Sequence, residues 1–374
     1  MLRYLTSGES HGKCLLATLE GMPAGLQIDE TLINRELSRR QVGFGRGGRM
    51  QIEQDRVEVL SGVKDGLTMG SPIALMIQNK DFKINELPKV TKPRPGHADL
   101  TGALKYAHTD IRNVLERASA RETAARVAIG AVCKIFLKKF GIEFASHVLR
   151  NGNITANTEK LSFEEIRKNA ESSEVRCADK AAEKKIIEEI IKAKEEKDTL
   201  GGAFEVIVIG VPVGLGSYVH YDRKLDARLG RAILSIQAMK AVEIGEGVEG
   251  SMKRGSEVHD AIYHDSKKGF YRGSNRSGGI EGGMSSGEPI FLRAYMKPIS
   301  TLLNPLPSVD ILTKEPVKAT IERSDVCTVP AAGVIGEAVV AFEIADAFRE
   351  KFGGDSMKEI RRNYDGYLKQ VKEF

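Results

Sequence analysis

The sequence predicts a mixed helix-and-strand fold built as one intertwined unit, and three observations carry that expectation. Strand-like pieces broken by glycine and proline open the chain and recur in its second half, with alanine-rich helical stretches between them. No fixed-period repeat or low-complexity linker divides the 374 residues. A composition of 41% hydrophobic and 29% charged residues is that of an ordinary globular protein with a substantial core.

Taken in order, "CLLATLEGMPAG" from Cys14 reads as a strand and turn, and "VEVLSGVKDG" and "PIALMIQN" read as further strands. Between them "DETLINRELSRRQ" predicts a helix capped by Asp29, with Leu32, Ile33 and Leu37 on one face. The longest helical signal in the first half is "NVLERASARETAARVAIGAVCKIFLKKFG", which closes on a basic turn and Gly141. Residues 150–200 are more charged and predict a surface insertion. Its "AAEKKIIEEIIKAKEEKD" is read as a solvated amphipathic helix with a stripe of Ile186, Ile187, Ile190 and Ile191. The strand "AFEVIVIGVPVG", the helix "LDARLGRAILSIQAMKAV" and the loop "RGSNRSGGIEGGMSSGEP" follow. The chain is then expected to close with the helix "AAGVIGEAVVAFEIADAFREKFG", preceded by Pro330.

Composition narrows the class. A net charge of +5 and a pI near 8.8 suit an acidic partner but are too small to indicate nucleic acid. Four scattered cysteines without a CxxC pair predict neither a zinc site nor a disulfide framework, and suit a reducing compartment. The start "MLRYLTSGESHG" lacks the apolar stretch of a secretory signal, and no apolar run is long enough to cross a bilayer. The expectation is a cytoplasmic protein without metal or membrane partner.

Five clusters carry candidate chemistry. In "TSGESHGKCL", Gly8 and Gly12 leave room beside His11, the side chain type best suited to move a proton near neutral pH; a histidine in a turn is also commonly structural. In "SRRQVGFGRGGRM", Arg39, Arg40, Arg46 and Arg49 alternate with glycines, suiting phosphate or carboxylate groups, or forming a flexible basic loop. "RPGHAD" and "KYAHTDIRNVLERASARETA" add His97 and His108 as acid/base candidates. Arg117 and Arg121 are placed one helical turn apart toward one anion, and the stripe Ala120, Ala124, Ala128 implies tight packing. "GGIEGGMSSGEPI" and "YMKPIST" bring Ser285, Ser286 and Lys297 as a further phosphate site or a surface loop. In "ERSDVCTVPAAG", Asp325 serves either the helix start or as a base kept ionised by Arg323. Together these suit a small, multiply anionic substrate and a phosphate-bearing cofactor; elimination, phosphoryl transfer and isomerisation all stay open.

The motifs together resemble the chorismate synthase family nearly end to end. "GESHGKCLLATLEGMP", "LERASARETAARVAIGAV" and "RSDVCTVPAAGV" resemble its three signatures, with "RPGHAD", "SIQAMKAVEIGEG", "GGMSSG" and "KPIST" in family order between them. The resemblance implies an α+β fold, a β-α-β sandwich in a single domain with the 150–200 insertion, assembled as a homotetramer. It implies a 1,4-elimination of phosphate from 5-enolpyruvylshikimate 3-phosphate to chorismate, requiring reduced FMN without net redox change. Carried over, the resemblance implies that His11 protonates the departing phosphate or stabilises its charge, that His108 protonates or polarises the reduced flavin, and that Asp325 works with the flavin N5 in taking the C6 proton. FMN falls to Arg117, Ala118, Ser119, Gln237, Ala238, Gly282, Lys297, Pro298, Ile299, Ser300, Thr301 and Arg323. Arg40 and Arg46 are implied for NADPH, although their chemistry suits the substrate's anions with Arg49 and Arg121. The competing reading is a basic nucleic-acid-binding protein using the Arg/Gly loop 43–49; with 6% aromatics, stacking platforms are scarce.

Overall fold

The structure, a computed structural model, describes residues 1–47, 53–266, 269–322 and 325–374. Two antiparallel sheets form the outer layers. The first pairs β1 (Arg3–Ser7), β2 (Cys14–Glu20), β3 (Val57–Val59) and β4 (Ile73–Gln78) in the order β1-β2-β4-β3. Its register sets Leu15 opposite Ile77 and Leu19 opposite Ile73, so one face is apolar. The second contains β5 (Glu143–Asn151), β6 (Ile154–Thr155), β7 (Gly202–Ile209), β8 (Met239–Ile244) and β9 (Ile290–Met296), in the order β8-β9-β7-β5-β6. All pairings in both sheets are antiparallel.

Helices fill the space between. The sequence predicts the helix at Glu30–Gln41 (α1) correctly, including the Asp29 cap, whose carboxylate accepts from the Thr31 N–H at 2.8 Å. Ile33 and Leu37 are buried, whereas Leu32 is 39% exposed and leaves the expected face. The layer is dominated by Thr123–Lys138 and Val329–Phe352. The first packs on β2 and β4, the second on β5 and β7, and the two pack on each other, giving sheet, helices, sheet. This is the β-α-β sandwich, an α+β fold. The Val329–Phe352 helix is apolar nearly all round because it is buried from both sides, with Pro330 in its first turn. Ala124 and Ala128 are fully buried, and a Cβ on Gly130 would lie 2.4 Å from the Cβ of Ala338, so the small side chains do permit close helix approach.

Four expectations are corrected. The helix behind Pro330 does not close the chain, because a further helix, Met357–Glu373, follows it. The long helix expected from Asn113 to Lys139 is broken: a helix over Arg112–Ala118 ends at Ser119, which is extended (φ −62°, ψ 141°), and a 3-10 turn Ala120–Glu122 leads into Thr123–Lys138. The helix from Leu225 stops at Leu234; Ala238 adopts φ +66° and the chain re-enters the sheet as β8. The 150–200 segment is more than a surface insertion, because Ala182, Ile186 and Ile190 of its Lys180–Glu195 helix join the main core. Ile191, at 43% exposure, faces away.

Candidate active site

A cavity of about 910 Å³ opens where the β1–β2 turn, the Ser119 break, the Arg/Gly loop and the starts of several connections meet. Gly8 makes the turn possible: its φ is +99°, and a Cβ there would lie 2.2 Å from the Cys14 carbonyl oxygen. The turn is then locked from three sides. The Ser10 N–H donates to the Glu116 carbonyl at 3.0 Å, and Asn79 Nδ2 donates to the carbonyls of Glu9 and Gly12 at 3.1 and 2.8 Å. The His11 carbonyl accepts from the Lys83 and Ile84 N–H groups, each at 3.1 Å.

His11 sits in the cavity wall, held by Glu116. Its backbone N–H donates to Glu116 Oε2 at 2.7 Å, and its Nδ1 lies 2.9 and 3.1 Å from the two carboxylate oxygens. Burial pushes the Glu116 carboxyl up, but its bonds from His11 outweigh that and leave it below the usual glutamate value. It is therefore an acceptor, Nδ1 carries a hydrogen toward it, and Nε2 points the other way, 3.9 Å from Asp81 Oδ2. The carboxylate that orients His11 is Glu116, 105 residues away, and not its neighbour Glu9.

The break at Ser119 sends the two arginines of "LERASAR" in opposite directions. Arg117 points back to β1, donating to the Gly8 and Thr6 carbonyls, each at 2.9 Å, and does not line the cavity. Arg121 turns inward, donating to Asp55 Oδ1 at 2.5 Å and Asn79 Oδ1 at 2.9 Å. The expected convergence of Arg117 and Arg121 on one anion is thus overturned, since they share no continuous helix. Arg40 joins Arg121 instead: its Nη2 donates to Asp55 Oδ2 at 2.8 Å. Burial pushes the Asp55 carboxyl up, and Arg40 and Arg121 outweigh it and hold it below the usual value. Burial also lowers Arg40, with Asp55 opposing and Arg121 reinforcing the shift. One carboxylate thus faces two guanidiniums. Arg40 Nε and Arg121 Nη2 are buried without a hydrogen-bond partner among the described residues, although Glu53 Oε2 stands 3.8 Å from Arg121 Nη2, so Arg40 Nε is the donor better placed for an added anion.

Asp325 does not cap the Val329–Phe352 helix, whose N-cap residue is Thr328. The aspartate accepts from the Gly47 N–H at 2.5 Å and lies 3.2 Å from Arg46 Nη1, tying the Arg/Gly loop to the cavity. Arg49 and Arg323, both singled out from the sequence, lie outside the described residues.

The second imidazole in the cavity is His97, not His108. Arg94 grips Asp99 through Nε at 2.8 Å and Nη2 at 3.1 Å, and its Nη1 donates to Thr301 Oγ1 at 2.7 Å. Burial pushes the Asp99 carboxyl up, but hydrogen bonds from His97 and Arg94 outweigh it and hold it well below the usual aspartate range. His97 Nδ1–H donates to Asp99 Oδ1 at 2.5 Å, which again leaves Nε2 for the cavity. His108 follows a left-handed Ala107 (φ 54°) that ends the Asp99–Tyr106 helix. That turn carries it away from the cavity of its own chain, where Asn113 Nδ2 is 3.5 Å from its Nδ1.

Of the remaining candidates, Ala118, Ser119, Gln237, Ala238, Lys297, Ile299, Ser300 and Thr301 line the cavity. Pro298 and Gly282 do not; Gly282 (φ +58°) is at the tip of a hairpin with open space where a Cβ would stand. Ser285 is structural: it donates to the Pro212 carbonyl at 2.6 Å and accepts from the Leu215 N–H at 2.8 Å. Gln237 donates to Glu122 at 2.8 Å, while its Oε1 is buried with no donor among the described residues. The Lys297 amine, lowered by burial and by Lys240, donates to the Gly96 carbonyl at 3.0 Å.

Residue reasoning missed Glu116, Arg94, Lys83 and Glu322. The first two stand in "LERASAR" and "RPGHAD", so attention to every charged residue of a motif would have found them. Among the described lining residues, six lysines and arginines face two carboxylates, and Leu87, Leu115, Ile236, Met296, Leu303 and Ile335 form an apolar wall. Such a site can gather several anions beside a flat apolar group and offer two imidazoles and a carboxylate for proton transfer. No cluster of His, Cys, Asp or Glu among the described residues could hold a metal, and no helix there is long and apolar enough to cross a membrane.

A family model described as chorismate synthase matches residues 2–348. The chain is 55% identical to the chorismate synthase of Geobacter sulfurreducens over 394 residues, with all of both chains covered. It is 56% identical to that of Alkaliphilus metalliredigens over 378 residues, covering 98% of this chain and 99% of the relative. A crystal structure of a chorismate synthase, 43% identical, superposes with a TM-score of 0.83 over 100% of this chain and 99% of that one.

Proposed function

The chain belongs to the chorismate synthase family, and we propose that the cavity around His11 is where its reaction runs, with reduced FMN as cofactor. The enzyme is a lyase: 5-enolpyruvylshikimate 3-phosphate loses phosphate and a ring hydrogen by 1,4-elimination, giving chorismate for aromatic amino-acid biosynthesis. The nucleic-acid reading has no support. The whole chain matches the enzyme family, and Arg40 and Arg46 turn inward to Asp55 and Asp325.

The single observation that carries the site is the gathering of six cationic side chains and two carboxylate-held imidazoles in one cavity. The substrate brings a phosphate and two carboxylates. Arg40 and Arg121 present buried donors for them, and Arg46, Lys83, Arg94 and Lys297 complete the cationic lining. Because Arg40, Arg121 and Arg94 are already fixed by Asp55, Asn79 and Asp99, they stabilise developing phosphate charge without reorganising. His11 Nε2 carries the proton for the departing phosphate. Asp325, held by Arg46 and the Gly47 N–H, receives the C6 proton. His97, rather than His108, supplies the second imidazole.

The residues present fit a flavin. The apolar wall suits the ring, and the unpaired buried Gln237 Oε1 suits an imide N–H. Ala118, Ser119, Ala238 and the residues from Lys297 to Thr301 surround the same space, Pro298 excepted. When bound, reduced FMN supplies the transient electron for C–O cleavage. For NADPH, Arg40 and Arg46 are the implied residues; their burial beside Asp55 and Asp325 favours the substrate's anions and an externally reduced flavin. A homotetramer has support in apolar side chains left exposed, such as Leu5, Ile262 and Phe270. Four free thiols, three of them buried, suit the cytoplasm.

Mixing substrate with protein and reduced FMN under anaerobic conditions is expected to release phosphate and chorismate in equal amounts. No phosphate release would refute the assignment.

A further inference from the structure

We propose that Glu116 is the positioning residue of His11: it fixes the imidazole with a hydrogen on Nδ1 and Nε2 toward the phosphate-bearing side of the cavity. The proposal rests on the catalytic reading of His11 given above. Its basis is geometric. Both carboxylate oxygens of Glu116 face His11, Oε1 toward Nδ1 at 2.9 Å and Oε2 accepting the backbone N–H at 2.7 Å. The side chain and main chain of the residue are therefore clamped by one group, which sets ring direction and tautomer together. The Glu116 side chain is 1% exposed, so the clamp works in a medium where water cannot compete.

The clamp is itself braced. Arg112, one turn earlier on the same helix, places Nη1 3.7 Å from Glu116 Oε1, while its Nη2 lies 3.1 Å from Glu322 Oε1 in the cavity lining. Arg112 Nη1 is buried without a hydrogen-bond partner among the described residues, so its charge is directed at Glu116. On the other side of the ring, Asp81 stands 3.9 Å from Nε2 and is paired with Lys83 at 2.8 Å. Among the described residues, Glu116, Asp81, Arg112 and Lys83 are charged groups on or beside this imidazole. Nδ1–H toward a buried carboxylate stabilises the imidazolium that donates from Nε2, and afterwards holds the neutral ring in the tautomer that can be reprotonated there. The same reasoning excludes Glu9, whose carbonyl, not its carboxylate, is what the turn uses.

Two measurements test this. In protein carrying ¹⁵N-labelled histidine, the His11 resonances, identified by their loss in His11→Asn, are expected to show the Nδ1–H tautomer at high pH; an Nε2–H tautomer overturns the proposal. In the second, single-turnover phosphate release is followed against pH for Glu116→Gln, Glu116→Asp, His11→Asn and the double variant Glu116→Gln/His11→Asn, with flavin binding as the check on folding. Glu116→Gln is expected to slow turnover about 10²-fold with KM within a few fold of the parent and a displaced acidic limb, and Glu116→Asp to restore part of the rate. In the His11→Asn background Glu116→Gln is expected to cost nothing more, because the two act as a unit. Full activity of His11→Asn would refute the catalytic reading of His11 itself. A slow His11→Asn beside a parent-like Glu116→Gln, or losses that multiply in the double variant, would refute only the positioning role. If Glu116→Gln fails to bind flavin, the tautomer measurement on the unaltered protein still decides.

Discussion

Replacing Gly130 by alanine sets helix propensity against packing, and the structure says which wins. In a helix interior alanine is favoured over glycine by about 1 kcal/mol. Here the added methyl would stand 2.4 Å from both Cα and Cβ of Ala338 and 2.6 Å from its carbonyl oxygen. Ordinary carbon contacts need about 3.5 Å, so the Thr123–Lys138 and Val329–Phe352 helices must separate by about 1 Å. A gap of that size forfeits roughly a quarter to a half of the dispersion energy along the contact, and overpacking of this kind costs about 1–3 kcal/mol or more. The net expectation is a loss of about 2 kcal/mol. With an unfolding entropy of about 2.1 cal/mol/K per residue, a chain of 374 residues would show a fall in Tm of roughly 2–3 °C. Turnover should fall as well, because Ala331, Ala332 and Ile335, on the displaced helix, line the cavity. Thermal unfolding followed by circular dichroism, beside a steady-state assay, measures both. Gly366→Ala is the control: it lies in the exposed Met357–Glu373 helix with nothing within 4 Å, and should raise stability by up to about 1 kcal/mol. A Gly130→Ala protein as stable as the parent, with Gly366→Ala behaving as expected, would refute the packing argument.

Glu337, buried beneath Arg39, Lys134 and Arg176, is pushed up by burial but held well below the usual glutamate value by Arg39 and Lys134, which outweigh it. A depressed carboxylate contributes stability above its unfolded value near 4.5 and loses it as pH falls through the folded value, so Glu337→Gln should cost about 3–5 kcal/mol at neutral pH. The difference between variant and parent in denaturant midpoints should shrink toward pH 3, and an equal difference at pH 7 and pH 3 would overturn the reasoning. Among the histidines, His97→Ala should slow turnover by roughly 10²-fold or more while His108→Ala stays within about threefold, measured at saturating reduced FMN; the reverse order would place the second imidazole elsewhere.

What the sequence conveyed, and what it withheld, divides by range. Local signals were sufficient for the Asp29 cap, for Gly8 in the turn and for Pro330 at the start of the Val329–Phe352 helix, because each depends on neighbours within a few residues. The break at Ser119 was hidden because the alanine and aliphatic period runs through it; it is stabilised by Ser119 accepting the Arg121 N–H and by contacts with Ser10, 109 residues away. Likewise, periodicity marked the isoleucines of Lys180–Glu195 as a stripe but could not show that Ile186 and Ile190 would meet the main core. The site shows the same division. His97 and His108 each precede an aspartate by two residues, so spacing alone treats His97–Asp99 and His108–Asp110 as equals. Tertiary structure separates them. Asp110 is taken up by the N–H groups of Val90 and Arg112, at 3.0 and 2.9 Å, and so shapes a helix start. Asp99 is gripped by Arg94, which is in turn bonded to Thr301 on the far side of the cavity, 207 residues along the chain. Only the His97–Asp99 pair is thereby aimed at the space where the anions collect, and it is the arginine, not the histidine spacing, that makes the difference.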